Sequence, residues 1–329
     1  MEQNQSILPQ ELERSNDIIR KMDQYYKSKM VGQEKLKMAL LTAFIANGHL
    51  LIESIPGLAK TTAAKVLTEA VAGKFSRIQC TPDLLPSDII GTQIFNYSTN
   101  AFETRLGPVY ANFVLLDEIN RSSAKTQSAM LEAMQEYQAS IGGVTYKMPD
   151  VFVVIATQNP IEQEGTYVLA EAQLDRFLLK EVLTYPTIGE EIEVLNRIEK
   201  NAFKQTQAVL NIDDVVYLQQ LGRKVYLDDA VKKYIANIIF VTRNAEKYIP
   251  VELSKYIEMG SSPRGSIAFM EASKANALIS GRSYVSPDDV KAVCYGVLRH
   301  RLMLNFSAIA DRIKPEIIID ALINSVVAP

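Results

Sequence analysis

Between residues 31 and 187, short apolar runs alternate with stretches of helical spacing. The runs are 49–53 (HLLIE), 75–79 (FSRIQ), 113–116 (FVLL), 151–156 (VFVVIA) and 177–182 (FLLKEV). Each has the length of a strand, and the third and fourth are apolar throughout. Strands covered on both faces lose the alternation of a half-solvated sheet and read as continuous apolar runs. The pattern predicts an α/β unit of five parallel strands with helices on both faces. Ala63, Val66, Leu67, Ala70 and Val71 stand at helical spacing, so a helix is expected over 60–72 with Gly73 as its stop. Residues 138–150, with two short arms around Gly142-Gly143, read as a hairpin inserted before the fourth core strand.

After residue 188 the period becomes 3.6 and stays there. Ile192, Leu195 and Ile198 mark one helix, Ile212, Val215, Val216 and Leu221 a second, and 228–247 a third. Ser286-Pro287-Asp288-Asp289 is a helix start, with Ser as N-cap, Pro at the first position and carboxylates in the first turn. The second half is expected to be all-helical. Residues 1–30 are polar and helix-compatible, and are expected to form an outer extension. The organisation read from the pattern is thus 1–30 extension, 31–187 α/β core and 188–329 helical domain.

The length of 329 residues agrees with two domains at ~150 residues each. Charge changes the picture more. Lys plus Arg number 35 and Asp plus Glu 38, a net charge of −3, and the longest basic runs are pairs such as Lys232-Lys233. A nucleic-acid binder usually carries a basic excess or stripe, so that class is disfavoured. Two cysteines and two histidines rule out a disulfide framework and a Cys/His zinc site. His49 and His300 are expected to be structural, and Cys80 and Cys294 to be buried apolar groups. Tyr25-Tyr26 with Lys27 and Lys29 could stack bases, but reads better as a solvated helix face. No apolar run approaches the ~20 residues of a membrane span, and the N-terminus has no signal pattern, so a cytoplasmic protein is expected.

Candidate chemistry sits at the strand ends. The first strand leads into Glu53-Ser54-Ile55-Pro56-Gly57-Leu58-Ala59-Lys60-Thr61-Thr62 and then a helix. Lys60 and Thr61 match the end of the phosphate-loop pattern G-x-x-x-x-G-K-[ST], while Ser54 and Ala59 replace its glycines. A strand, a tight turn and a helix N-terminus aim backbone N–H groups at an anion. Gly57 allows close approach to phosphate, Lys60 suits its β/γ oxygens, and the Thr61 hydroxyl suits Mg2+. The third strand ends in Asp117-Glu118, with Asp117 fit to hold Mg2+ and Glu118 to orient or deprotonate water. The fourth ends in Thr157-Gln158-Asn159-Pro160, where Asn159 could reach the γ-phosphate or the water.

These segments together resemble the MoxR family of AAA+ ATPases. The likeness is carried by Gly32-Gln33, Lys60-Thr61, 116–121 (LDEINR), 156–167 (ATQNPIEQEGTY), 171–177 (EAQLDRF), Ser262-Pro263-Arg264 and 297–302 (VLRHRL). It implies a P-loop NTPase core, a three-layer α/β/α sandwich on a five-stranded parallel sheet, followed by a helical lid. It implies Lys60-Thr61 as the Walker A pair and Asp117-Glu118 as the Walker B pair. Asn159 would be sensor 1, Arg176 the arginine finger, and Arg264 the sensor 2 arginine, each catalytic with Glu118. Ser54, Pro56, Gly57, Leu58, Ala59 and Thr62 would complete the nucleotide cradle. Residues 83–110 resemble the helix-2 insertion and 138–150 the pre-sensor-1 hairpin.

The resemblance further implies an Mg-ATP-dependent ring, commonly a hexamer. Such rings resemble chaperones that mature partner complexes, often with a von Willebrand factor A domain protein. Alternatives from the same motifs are a nucleotide-gated scaffold, a nucleic-acid motor and a metal-chelatase motor subunit. Ser54 motivates the scaffold, since a left-handed backbone there would cost of order 1 kcal/mol. Arg121 either pairs locally or senses a neighbour's nucleotide.

Overall fold

The computed structural model describes residues 7–55, 60–160, 167–200 and 207–329, without the side chains of Lys60 and Thr61. The five apolar runs form β1 (Leu50–Glu53), β2 (Phe75–Gln79), β3 (Phe113–Asp117), β4 (Val153–Gln158) and β5 (Leu179–Val182). Every neighbouring pair is parallel, in spatial order β5-β1-β4-β3-β2. The sheet separates two apolar cores, and the period-2 pleat assigns residues to them. Leu50, Ile52, Val153 and Ile155 enter one core, while Leu51, Val154 and Ala156 enter the other. Every residue of β3 is buried, which explains why its run shows no alternation.

Helices α1 (Pro9–Lys29), α2 (Glu34–Ile45) and α3 (Lys60–Glu69) contribute to the first core, and α4 (Ala124–Glu136) covers the other face. The chain leaves β5 into α5 (Ile188–Glu199), whose N-cap Thr187 accepts from Glu190 N. The second half then forms α6 (Ile212–Lys224), α7 (Asp229–Arg243), α8 (Pro263–Ile279), α9 (Pro287–Leu298) and α10 (Pro315–Asn324). Their apolar faces extend the first core. Two antiparallel hairpins project from the core: Gly91–Asn96 with Ala101–Leu106, and Gln138–Ile141 with Val144–Lys147. Gly142 and Gly143 both have positive φ (58° and 82°), as a tight turn of this hand requires. The hairpins touch through Tyr146 Oη, which donates to Thr104 Oγ1 at 2.9 Å.

Several expectations need correction. The outer extension is instead built in: Ile18, Ile19, Met22, Tyr25 and Tyr26 of α1 are buried in the first core. Tyr25-Tyr26 is therefore no solvated face; it ends a stripe begun by Ile18 and Met22, two side chains worth ~1.5–3 kcal/mol each on burial. The second half is not purely helical, because Ile257–Met259 pairs antiparallel with Met303–Leu304. Leu210–Asn211 pairs with Val71–Ala72, so the helix expected over 60–72 ends at Glu69 and gives way to a strand. Strands of two or three residues are too short to show a period. Among the described residues no helix is long and apolar enough to cross a membrane.

Candidate functional site

Parallel pairing brings the carboxyl ends of the strands to one edge. Gln79 of β2 is in register with Asp117 of β3, and Glu53 of β1 with Gln158 of β4. Ser54 N still donates to Gln158 O (3.1 Å), so the ladder continues into the first residue of the loop. Pro56, Gly57, Leu58 and Ala59 lie outside the described residues. The backbone resumes as helix at Lys60, which sets the N-terminus of α3 on the edge where β1 ends; Thr62 is exposed there. Ser54 is buried, and its hydroxyl has no partner among the described residues. It is not among the residues with positive φ, so the strain that would weaken nucleotide binding is absent.

Asp117 is buried at the end of β3. Thr157 Oγ1 donates to Asp117 Oδ1 (2.8 Å) and accepts from Glu118 N (2.9 Å), so one hydroxyl orients both acidic residues. Asp117 Oδ2 accepts from Arg77 Nη2 at 2.6 Å. Arg77 Nη2 also reaches Gln79 Oε1 (3.1 Å), and Gln79 Nε2 donates to Glu118 Oε2 (3.3 Å). The same carboxylate oxygen pairs with Arg121 Nε at 3.2 Å, so Arg121 is engaged locally. Glu118 adopts a left-handed backbone, φ 60° and ψ 54°. That conformation costs a non-glycine residue of order 1 kcal/mol or more and clusters at functional positions. Here the Thr157 hydroxyl and the Glu118 O to Arg121 N bond (2.8 Å) hold it. Asn159 follows β4, buried, and its carbonyl accepts from Asn120 Nδ2 at 3.4 Å.

Arg176 and Arg264 are elsewhere. They line a cleft of about 240 Å³ whose floor is Asn47, Gly48 and His49, the residues entering β1. That is the opposite edge of the sheet from Asp117 and Glu118. Arg176 Nη1 donates to Leu131 O (3.1 Å). Arg264 is exposed in the first turn of α8. Ser262, the N-cap of α8, accepts from Arg264 N (3.1 Å) and donates to Asp175 Oδ2 (2.7 Å). Arg301, almost fully buried, pairs through Nε with Asp175 Oδ1 at 2.8 Å and donates to the carbonyls of Phe177 (2.6 Å) and Leu178 (3.1 Å). The backbone segments that carry Arg176 and Arg264 are thus tied to one another through Asp175 and Ser262, and the lid is clamped to the core beside them.

Sequence reasoning singled out neither Arg77, Gln79 and Thr157 at the first edge nor the Asp175–Arg301 clamp at the second. A charged residue inside the strand-length run FSRIQ was the available signal for Arg77.

The histidines are structural. His49 Nδ1 accepts from Val154 N (3.1 Å), which leaves Nε2–H to donate to Met134 O (3.1 Å). Burial pushes His49 down to about 4, partly opposed by that bond to Met134. His300 is likewise buried, its Nε2 lies 3.0 Å from Phe177 O, and burial holds it well below the usual imidazole range. Burial raises the Cys80 thiol to about 12 and Cys294 to about 11, so neither is an activated thiolate.

Residues 49–179 match the model of the ATPase family associated with various cellular activities (AAA), and residues 253–322 match the AAA lid domain. The chain is 45% identical over 300 residues to the chaperone MoxR1 of Mycobacterium tuberculosis, covering 91% of this chain and 79% of that one. It is 44% identical over 301 residues to YeaC of Bacillus subtilis, covering 91% of each. A crystal structure of a candidate ATPase from Cytophaga hutchinsonii superposes with TM-score 0.90 at 41% identity, over 97% of both chains. With the parallel sheet, the helical lid and the acidic pair at the end of β3, these likenesses place the chain in the MoxR family of AAA+ ATPases.

Proposed function

We propose that the protein hydrolyses ATP with Mg2+ as part of a ring of identical subunits, and uses the cycle to remodel or assemble a partner protein. The observation that carries this reading is the convergence at one sheet edge of Asp117, Glu118, Asn159 and the start of α3 at Lys60. Carboxylate and hydroxyl oxygens are the donors a hard divalent cation takes, and Mg2+ commonly uses one or two carboxylates with the substrate's phosphates. Asp117 and Thr61 would hold it, and when bound it would neutralise charge on the phosphates. Pro56 to Ala59, Lys60 and Thr62 would cradle the phosphates, beginning from Ser54. Glu118 would take the proton of the attacking water, and Asn159 would orient that water or the γ-phosphate. Its left-handed backbone sets Glu118 apart from Asp117, so one residue can serve the cation and the other the water.

Arg176 and Arg264 stand at the far edge and would act on a neighbour's nucleotide. This is the main support for an assembled ring, with a hexamer as the family's usual form. The partner would be a protein, with a von Willebrand factor A domain protein as one adaptor of suitable kind. The scaffold reading loses its motive because Ser54 carries no left-handed strain. Glu118→Gln tests the assignment. The variant is expected to bind ATP with wild-type affinity and to release phosphate at least ~100-fold more slowly, the usual scale for a general base. Wild-type turnover in Glu118→Gln would refute the role given to Glu118.

A further inference from the structure

Four carboxylates stand at or beside the carboxyl edge of the sheet, and each is matched by a cation. Arg77 pairs with Asp117 at 2.6 Å, Arg121 with Glu118 at 3.2 Å, Arg299 with Glu181 at 3.0 Å and Lys180 with Glu53 at 2.6 Å. The side chains of Arg77 and Arg121 are 51% and 41% exposed, so water competes for them and an arriving cation can displace them. Lys180 differs. Its side chain is 17% exposed and that of Glu53 22%, so salt and water screen the pair poorly and it stays closed.

Strand register explains how the pair forms. Glu53 of β1 lies opposite Val182 of β5, and Lys180 is two residues back on the same face. One strand across and two residues along is a span of ~8 Å, which the four-carbon stem of lysine covers. Strand β5 is an edge of the sheet, and the lid pins it there. Arg299, the C-cap of α9, donates from Nη1 to Lys180 O (3.4 Å) and to Glu181 Oε2 (3.0 Å). Its Nε pairs with Glu316 Oε1 of α10 at 2.7 Å. The main chain of Lys180 is therefore held by the lid, while its ammonium is held by Glu53.

A carboxylate is an unexpected group in that place. Glu53 is the last residue of β1, and Ser54 after it begins the loop proposed to cradle phosphates. Negative charge at the foot of an anion site repels the ligand unless a cation cancels it. Among the described residues Lys180 is the cation paired with Glu53. We propose that Lys180 is a positioning residue for nucleotide binding: its ammonium cancels the Glu53 carboxylate, so that the foot of the phosphate loop presents no net charge to ATP, and the pair ties the loop to the strand that the lid holds. This role rests on the reading of residues 53–62 as the nucleotide loop.

Titration of fluorescent ATP and ADP analogues into the full chain tests it, with melting temperatures alongside. Lys180→Met leaves Glu53 unpaired and is expected to weaken ATP binding about tenfold at low salt, about twofold for each phosphate charge, and so to weaken ADP binding about half as much. Salt at roughly 1 M, where the screening length is ~3 Å, should erase most of the difference from wild type. Glu53→Gln leaves the ammonium unpaired and is expected to bind ATP at least as tightly as wild type, by up to about tenfold. The double variant should return to wild-type affinity within about twofold. Both single variants should melt lower than wild type, because each leaves one mostly buried charge without its partner. A purely structural pair would weaken ATP binding in both, whereas a charge effect moves the two affinities in opposite directions. Wild-type ATP affinity in Lys180→Met would overturn the proposal, as would a double variant that binds as weakly as Lys180→Met. Weakened ATP binding by Glu53→Gln would overturn it even where Lys180→Met does not fold. A wild-type chain that binds neither nucleotide would refute the nucleotide reading, and this role with it.

Discussion

The Arg77 guanidinium lies 2.6 Å from Asp117 Oδ2, on the carboxylate proposed for Mg2+. If Asp117 is to hold Mg2+, Arg77 is a competitor that must yield. It can, because half of its side chain is exposed, although the burial of Asp117 makes the pair stronger than the ~0.2–1 kcal/mol of a fully solvated one. Arg77→Gln is therefore expected to lower the Mg2+ concentration needed for half-maximal binding of a fluorescent ATP analogue by about fivefold or more, the equivalent of at least ~1 kcal/mol. A higher Mg2+ requirement would instead make Arg77 a supporting ligand of the phosphates. The acidic pair itself was legible in the chain, since two carboxylates after a fully apolar strand have few structural uses. Arg77, Gln79 and Thr157 were not. Their meaning depends on strand order, which sets β2 and β4 on either side of β3, and strand order is a long-range property no local pattern encodes.

At the scale of elements, the central strands β1, β3 and β4 could be read from their apolar runs because burial on both faces leaves no other composition workable, while the edge strands β2 and β5 are only partly buried and were marked by length and position. What escaped was the direction in which amphipathic helices face: α1 turns its stripe inward and α5 outward, and periodicity alone is identical for both. His49 shows how elements are tied where pattern is silent. It joins the entrance of β1 to Val154 of β4 and to Met134 at the end of α4. His49→Leu leaves two buried backbone groups unpaired, at ~1–3 kcal/mol each, and denaturant unfolding at pH 7.5 should show a loss on that scale. The pH dependence has a definite sign. With a folded value of about 4 against an ordinary 6.5, the unfolded chain binds more protons between those limits, so stability falls as pH drops through them. The variant should show a shallower fall between pH 6.5 and 4, with His300 and the shifted carboxylates supplying the remainder. An unchanged slope would mean that His49 is protonated in the folded state.

At the scale of the whole molecule, the two groups of residues proposed for the site stand apart in one chain. Asp117 and Glu118 lie at the carboxyl end of β3, while Arg176 and Arg264 line a cleft at the entrance to β1. The four residues of β1 alone separate these edges by ~13 Å. The Asp175–Arg301 pair, with an almost fully buried guanidinium, fixes the lid at its edge, so swinging Arg264 over to the other would break a buried ion pair at a cost of ~3–5 kcal/mol. An arginine that completes such a site is worth roughly 10³–10⁵ in rate, so an isolated subunit should be nearly inactive and specific activity should rise with protein concentration. Mixing separates this from catalysis within one chain. Arg176→Ala keeps an intact acidic edge, and Glu118→Gln keeps an intact arginine edge. Each alone should be inactive. Co-assembled in equal amounts, an Arg176→Ala subunit whose arginine-supplying neighbour is Glu118→Gln regains a complete site, and random head-to-tail placement makes about a quarter of all sites complete. Phosphate release by the mixture should therefore recover to about a quarter of the wild-type rate. If both arginines served their own nucleotide, the mixture would stay as inactive as its components, because no subunit in it holds both groups.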